Sequence, residues 1–301
     1  MSYAVGFDLG GTNIKAVAVT EDGELLEHTT CPTEDDESGT WAEKVRSQLQ
    51  ILEERRGEVA KWVGMAAPGV VAPNGRSIAH VSGRLRGLQG FDWTDYLKSD
   101  REIPVINDAQ AALLGEAWRG AALGCRHAIL ITLGTGVGGA ILSEGKLMKG
   151  LTGRAGDFGH VTLDVDGQPD HAGIPGSLED AIGDSTLAAR SKGRFTSTLQ
   201  LVEAHLAGDV SATEIWIRSV YQLSCAIASL INIFDPEVII IGGGIARAGR
   251  ALFEPMERFR ERLEWRPDNL CIPVIPAALG DLAGALGAAY NAMQKDAGAS
   301  R

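Results

Sequence analysis

The hydrophobic pattern of the chain repeats once along its length. An apolar run begins at Ala4, gives way to a loop rich in Gly and Thr, and continues into a second apolar run. The same order begins again at Ala128. In each copy an acidic residue followed by glycine, Asp22-Gly23 or Glu144-Gly145, separates the second run from a third, which is a hairpin signal. The pattern predicts two copies of a three-strand unit and therefore a duplicated domain.

Between and after the two copies, strand-like and helix-like segments alternate. Apolar residues at helical spacing predict a helix from Trp41 to Leu52, opened by a capping box at Thr40 and Glu43. Alternation of this kind is typical of α/β layers. The other predicted strands lie at 61–66, 103–106 and 238–241, and the other predicted helices at 109–118 and 213–234.

The composition restricts the partners and the compartment. The 301 residues suffice for two domains, and a net charge of -11 without a Lys/Arg cluster argues against a nucleic acid or an anionic membrane surface. Uncharged stretches such as 128–143 are rich in Gly or too short to span a bilayer. The four cysteines lie far apart and form no CxxC pair, and the N-terminus lacks the basic region of a signal peptide. We therefore expect a cytoplasmic protein.

Two glycine-rich loops, one in each copy, are candidates for phosphate binding. Successive glycines let backbone N–H groups surround phosphate oxygens, and Thr or Asn adds side-chain donors. Asp8 lies two residues before Gly10 of the first loop, and a carboxylate facing phosphate implies Mg²⁺ between them, held through water. The alternative for one loop is a plain hairpin turn, but the repetition favours phosphate binding. The candidates are Asp8, Gly10, Gly11, Thr12 and Asn13, then Gly134, Thr135, Gly136 and Gly138.

Further candidates follow predicted strands or open predicted helices. Gly242, Gly243 and Gly244 follow a buried strand, where α/β sheets place ligands, although a strand-to-helix turn would look the same. Asp108 ends a strand and precedes a helix, so it is placed equally well for a general base and for a helix N-cap.

The stretch AGDFGH contains Asp157 and His160, which suit sugar hydroxyls but also suit an ordinary loop. In PGSLED, Ser177 is the predicted N-cap of a helix with Glu179 in its first turn.

Short motifs along nearly the whole chain resemble the ROK family of bacterial sugar kinases and sugar-responsive repressors, within the actin/hexokinase-like superfamily. Each motif alone is weak, but their order and spacing together are specific. They are FDLGGTN at 7–13, APG at 67–69, IND at 106–108, LGTGVGG at 133–139, AGDFGH at 155–160, GSLE at 176–179, IGGG at 241–244 and the small-residue segment 283–289.

The resemblance implies a fold, an activity and roles for residues. The fold would be two ribonuclease H-like α/β domains with an interdomain cleft, namely 1–107, with a helix of about 284–301 packing back on it, and 108–283. The activity would be ATP- and Mg²⁺-dependent phosphorylation of a hexose hydroxyl, usually the 6-OH, with Asp108 as the base. A homodimer is also expected from the family. The implied sugar-binding residues are Gly69, Asn107, Asp157, His160 and Glu179.

The chain departs from the family pattern at three places. Family members often bind a structural zinc through three cysteines, and here those positions hold Asp170, Ala172 and Ser177. We therefore expect no zinc, and local hydrogen bonding within 160–179 to fix His160 in its place. Asp157 stands where the family usually has Glu, which leaves the sugar open. The loop before Phe91 carries Arg84 and Arg86, either solvated or facing an acidic substituent.

Three functions remain in competition. A glucokinase-like enzyme is the simplest, and a kinase for an N-acetylated or otherwise modified hexose is the alternative that Asp157 raises. A non-catalytic sugar sensor is the alternative from another class. The repressors carry a DNA-binding module ahead of the first phosphate loop, whereas seven residues precede Asp8 here. The retained Asp108 and both phosphate loops favour a kinase.

Overall fold

The protein is described here by a computed structural model that covers residues 2–35, 39–81, 83 and 85–299. Its strands are β1 Tyr3–Leu9, β2 Asn13–Thr20, β3 Leu25–Pro32, β4 Trp62–Ala67, β5 Val70–Val71, β6 Ile78–His80, β7 Val105–Asn107, β8 Ala128–Leu133, β9 Val137–Ser143, β10 Lys146–Leu147, β11 Val238–Gly242 and β12 Val274–Pro276. Its α-helices are α1 Thr40–Arg56, α2 Trp93–Leu97, α3 Asp108–Arg119, α4 Leu178–Ile182, α5 Leu187–Arg190, α6 Thr198–Leu206, α7 Val210–Phe234, α8 Arg250–Leu263 and α9 Ala283–Ala299.

The chain divides into two compact units. The first comprises 1–125, 146–155 and 277–301, and the second comprises 126–145 and 156–276. The first unit thus extends past the boundary expected at residue 107, because α3 packs directly on α9. A Cβ at Gly287 would lie 1.7 Å from the carbonyl oxygen of Ala111, so the two helix backbones are in contact. The C-terminal helix lies within the first unit.

The first unit is built on a five-stranded sheet in the order β3-β2-β1-β4-β7. Strands β1, β2 and β3 pair antiparallel, whereas β4 and β7 continue from β1 in parallel. Alternation along β1 directs Val5 and Phe7 into the core that includes Trp41 of α1, and Ala4 into the apolar cluster of α9. Gly6 shares the α9 face, and a Cβ there would lie 1.9 Å from a helix carbonyl. Glycine is therefore what admits α9 to this sheet.

The second unit repeats this topology. Its sheet has the order β10-β9-β8-β11-β12, again an antiparallel triplet followed by two parallel strands. The duplication predicted from the hydrophobic pattern is confirmed by the matching strand orders. Helix α7 packs against α4, α6 and α8, and it supplies much of the core of this unit.

Helix α7 is the one helix among the described residues that is long and apolar enough to cross a bilayer by length and composition. It contains Glu214 and Arg218 and is therefore not one of the uncharged stretches of the sequence. Its buried face includes Trp216, Val220, Leu223 and Ile227, which belong to the hydrophobic core of the second unit. The apolarity of α7 is accounted for by this packing.

Helix starts show where the sequence predictions were right and wrong. The capping box at Thr40 is wrong, because Gly39 occupies the N-cap position at φ 78° and no side chain caps the helix. The predicted cap at Ser177 is confirmed, since its hydroxyl accepts the N–H of Asp180 at 3.2 Å. Helix α7 begins earlier than predicted because Asp209 caps it by accepting the N–H of Ala212.

Candidate active site

The first unit gathers its candidate residues at the carboxyl ends of three neighbouring parallel strands. Asp8 pairs in register with Ala66, and Ala67 pairs with Asn107, so the ends of β1, β4 and β7 lie side by side. Gly69 follows β4 and Asp108 follows β7. The amide of Asn107 donates to the carbonyl of Gly69 at 3.1 Å and ties these two segments together. Parallel α/β sheets present ligand sites at this edge.

Asp8 lies partly buried where α9 begins. A Cβ at Gly284 would be 2.8 Å from its Oδ2 atom, so the first turn of α9 covers the carboxylate. Burial, together with the negative charge of Asp108, raises the pKa of Asp8 to about 7; Lys15 opposes the rise and Asp281 adds to it. Two neighbouring carboxylates with too little positive charge around them fit a divalent cation, and oxygen donors are what Mg²⁺ prefers.

The structure separates the roles of Asn107 and Asp108. Asn107 is the N-cap of α3, since its Oδ1 accepts the N–H groups of Ala109 at 3.0 Å and Gln110 at 3.2 Å. Asp108 is the first helical residue, and its Oδ1 also accepts the N–H of Ala109, at 2.8 Å. The sequence left Asp108 between base and cap, and the cap position belongs to Asn107.

The first glycine loop is braced from outside. The N–H of Gly10 donates to the carbonyl of Asn13 at 3.1 Å. The hydroxyl of Thr33 donates to the carbonyl of Gly10 at 2.6 Å, and the N–H of Thr33 donates to that of Thr12 at 2.9 Å. Thr33 is fully buried. Sequence reasoning missed this brace, because Thr33 follows β3, which is distant in sequence and carries no motif.

The second glycine loop is braced by the residues that follow α4. The N–H groups of Asp184 and Ser185 donate to the carbonyls of Gly134 and Thr135, both at 2.9 Å. The segment Gly242–Gly244 lies beside this loop: a Cβ at Gly243 would be 2.2 Å from the carbonyl oxygen of Leu133. The second candidate phosphate loop and the glycine segment proposed to lie along the nucleoside are therefore adjacent within the second unit.

Glu179 connects the second glycine loop with the candidate sugar residues. Its Oε2 accepts the N–H of Val137 at 2.9 Å, and its Oε1 lies 3.2 Å from Nδ1 of His171. A Cβ at Gly136 would be 2.2 Å from that same Oε2. Asp157 is the N-cap of a short 3₁₀ helix whose last residue is His160, and Asp157 Oδ2 lies 3.9 Å from His160 Nε2. Asp157, His160 and Glu179 thus belong to one unit, as Gly69 and Asn107 belong to the other.

The positions of the family zinc motif hold a hydrogen-bonded turn. Asp170 Oδ1 accepts the N–H groups of Ala172 at 2.8 Å and Ile174 at 2.9 Å, while Oδ2 lies 3.3 Å from Nδ1 of His160. Burial alone would raise the pKa of Asp170, but these N–H groups, the Ser177 hydroxyl and the His160 ring lower it to about 2. The local hydrogen bonding expected to fix His160 is present.

This donor set does not fit zinc. Ala172 offers no ligand atom, and both oxygens of Asp170 already accept hydrogen bonds. Within residues 2–35, 39–81, 83 and 85–299, no three His, Cys, Asp or Glu side chains are grouped so as to hold a metal ion.

The arginine-bearing loop lines a cavity in the first unit. The cavity measures about 650 Å³ and includes Trp41, Glu43, Arg86, Phe91 and Tyr96 in its lining. Arg86 is exposed on this loop, and Arg84 lies outside the described residues. The two interpretations of these arginines given by the sequence therefore stay open.

Comparison with known proteins gives one family across the chain. The ROK family profile matches residues 4–295. A glucokinase of Halalkalibacterium halodurans is 32% identical and covers 98% of this chain and 96% of its own. A ROK hexokinase structure from Thermus thermophilus superposes with a TM-score of 0.84 at 30% identity, covering 98% and 99% of the two chains. A Streptomyces griseus ROK glucokinase, solved with glucose and AMPPNP, gives 0.78 at 28% identity, covering 97% and 100%.

The chain therefore belongs to the ROK family. Its two units have the α/β architecture of ROK hexokinases, which is the actin-like ATPase fold. Family membership and the retained glycine loops make it an ATP-dependent sugar kinase.

Proposed function

We propose that this kinase transfers the γ-phosphoryl group of ATP to the 6-hydroxyl of a hexose, most simply glucose, with Asp108 as general base. The observation that carries the proposal is that Asn107 and Asp108 have different positions at the end of β7. Because Asn107 supplies the N-cap of α3, the structure does not need Asp108 for that purpose. Its carboxylate stands at the ligand edge of the sheet, close enough to Asp8 to raise the pKa of that group.

The two carboxylates of the first unit take different roles in this proposal. Asp8 would hold Mg²⁺, through water, and the ion would neutralise charge on the phosphate oxygens. Asp108 accepts the proton of the sugar hydroxyl as that oxygen attacks phosphorus. A base near hydrogen-bond reach contributes about 10²- to 10⁴-fold.

The glycine segments position the nucleotide in this proposal. Gly10, Gly11, Thr12 and Asn13 offer backbone and side-chain donors to phosphate oxygens from the first unit, with Thr33 holding the loop in shape. In the second unit, Gly134, Thr135, Gly136 and Gly138 do the same. Gly242, Gly243 and Gly244 let the nucleoside approach the backbone. This assignment rests on loop geometry and on the family resemblance.

The sugar-binding residues of this proposal are those that the family resemblance implies. Asn107 and the Gly69 segment come from the first unit, and Asp157, His160 and Glu179 come from the second. Fixed polar groups of this kind select a substrate by the pattern of its hydroxyls. We expect a small-molecule sugar as the substrate, the cytoplasm as the compartment and a homodimer as the assembly.

A modified hexose is the second candidate substrate, and Asp157 favours it. This side chain is one methylene shorter than the usual family Glu and is about half exposed. The shorter reach leaves room at the sugar's 1- or 2-position, where an N-acetyl group or another substituent would fit. A non-catalytic sensor is the candidate from another class, and Asp108 with both glycine loops argues against it.

A coupled ADP-release screen tests the proposal. Wild-type protein with Mg²⁺–ATP is offered glucose, mannose, fructose, allose, N-acetylglucosamine and N-acetylmannosamine, and the phosphorylated position is read by ³¹P NMR. Asp166→Asn, which changes an exposed carboxylate outside the proposed site, serves as the matched control. Phosphorylation of glucose at O6 supports the first candidate, and preference for an N-acetylated sugar supports the second. Sugar binding without ADP release from any sugar would favour the sensor.

A further inference from the structure

The carboxylate of Asp170 is sealed inside the loop that follows His160. Its side chain is 0% exposed, and its two oxygens make separate sets of contacts. Oδ1 accepts the N–H groups of Ala172 and Ile174 and so closes the 170–174 turn. Oδ2 faces Nδ1 of His160 at 3.3 Å, and the hydroxyl of Ser177 also donates to this carboxylate.

The contact with Oδ2 decides where the imidazole of His160 carries its proton. An ionised carboxylate only accepts hydrogen bonds, so the ring nitrogen facing it must be the N–H. In the neutral ring the other nitrogen, Nε2, then has a lone pair and can only accept. Nε2 is the nitrogen on the Asp157 side, 3.9 Å from Oδ2 of that residue.

We propose that Asp170 is a positioning residue that fixes His160 as the Nδ1–H tautomer, so that Nε2 accepts a hydrogen bond from a sugar hydroxyl. The proposal rests on the proposed function for the identity of the ligand. The zinc-motif position thereby gains a different role, because one buried anion both shapes the turn and orients the ring. The subsite beside Asp157 then offers acceptors, and it calls for a substrate that presents hydrogen-bond donors there.

The competing explanation is that Asp170 serves only to form the turn. The two explanations assign different roles to its two carboxylate oxygens. A turn needs only Oδ1, whereas tautomer control needs the negative charge at Oδ2. The other titratable side chains described near His160 are Asp157 on its own segment, His171 with ring centroids 5.5 Å apart, and Glu179 beyond His171. Only Asp170 has a described hydrogen bond to the ring.

Asp170→Asn distinguishes the two roles within one side chain. The amide oxygen can still accept the N–H groups of Ala172 and Ile174, so the turn keeps its shape. The amide nitrogen is a donor, and facing His160 it forces the ring proton onto Nε2. Losing and reversing this hydrogen bond should raise the sugar KM about 10- to 100-fold. The ATP KM should stay unchanged, and Asp166→Asn on the same loop should behave as wild type.

The tautomer itself is measured by NMR of ¹⁵N-histidine in the wild-type protein and in Asp170→Asn, with His160→Ala identifying the signal. The expected result is Nδ1–H in the wild type and Nε2–H in the variant. In the His160→Ala background, Asp170→Asn should cost no further sugar affinity. That coupling would not arise if the carboxylate served the turn alone.

An Nε2–H ring in the wild type overturns the proposal without any variant. An unchanged sugar KM in folded Asp170→Asn overturns it as well, and so does an equal cost in the presence and absence of His160. If the wild type phosphorylates no sugar, the proposed function fails, but the tautomer measurement still reports on the role of Asp170.

Discussion

Adding one methyl group at Gly136 should loosen the contact between the second glycine loop and Glu179. The new Cβ would lie 2.2 Å from Oε2 and 3.0 Å from Cδ of Glu179, far inside ordinary contact. The atoms nearest to the new Cβ all belong to the Glu179 side chain, so the carboxylate can turn away from it. In turning away, Oε2 loses its hydrogen bond from the N–H of Val137. Val137 is buried, so its amide has no water to replace the lost acceptor.

The cost of Gly136→Ala follows from that single hydrogen bond. A buried donor left without its charged acceptor costs about 1–3 kcal/mol. For a domain of about 150–250 residues each kcal/mol lowers Tm by about 2–4 °C, so we expect a fall of about 2–12 °C. The sugar KM should also rise, because the carboxylate of Glu179, a proposed sugar-binding group, is displaced from its present position.

Gly134→Ala is the matched control for this experiment. A Cβ at Gly134 would have no atom within 4 Å, so the fold has nothing to clash with it. Its Tm should equal that of the wild type, and only the ATP KM should rise if phosphate occupies the open space. Differential scanning calorimetry and steady-state kinetics on both variants decide the matter. Equal Tm values for Gly136→Ala and the wild type would refute the reasoning.

Three further predictions concern the metal, the backbone and acid. Asp8→Ala should weaken the use of Mg²⁺–ATP in kinetic titrations and spare sugar binding by calorimetry; unchanged nucleotide kinetics would remove its metal role. Gly243→Ala should lose about 1–3 kcal/mol in urea unfolding, because φ 85° and ψ 175° suit only glycine and the Cβ meets Leu133, whereas Gly244→Ala should not. Asp170 has a lowered pKa, so its contribution to stability is full above about pH 4 and is lost as the pH falls to about 2. The stability gap between the wild type and Asp170→Asn should therefore close across that window, and a gap that persists at pH 2 would contradict the assignment.

The elements with a strong local pattern could be predicted from the sequence. Alternating apolar residues and the Asp22-Gly23 and Glu144-Gly145 turns specify the two strand triplets, because side-chain period and turn chemistry are local properties. The cap at Ser177 has a local cause too. The N-cap at Gly39 was missed, since the neighbouring Thr40 resembles a better cap and only the chain path decides between them.

The contacts that shape the candidate site could not be predicted, because they join segments distant in sequence. Thr33 braces the first loop across β2 and β3, and the first turn of α9 covers Asp8. The family resemblance implied that this helix returns to the first unit, but not that it covers Asp8. Local hydrogen bonding within 160–179 was expected to fix His160, but which side chain supplies it depends on how the 170–174 turn folds. Long-range pairing of this kind leaves no periodic trace in the sequence.

The central claim is that Asp108 is the base, and turnover by Asp108→Asn tests it most directly. Asparagine keeps the size of the side chain and can still accept the N–H of Ala109, while Asn107 keeps the helix cap. The measurement is kcat with a saturating sugar and Mg²⁺–ATP, beside sugar affinity by calorimetry. We predict a fall in kcat of about 10²- to 10⁴-fold with sugar affinity retained. Turnover near the wild-type rate would contradict the account.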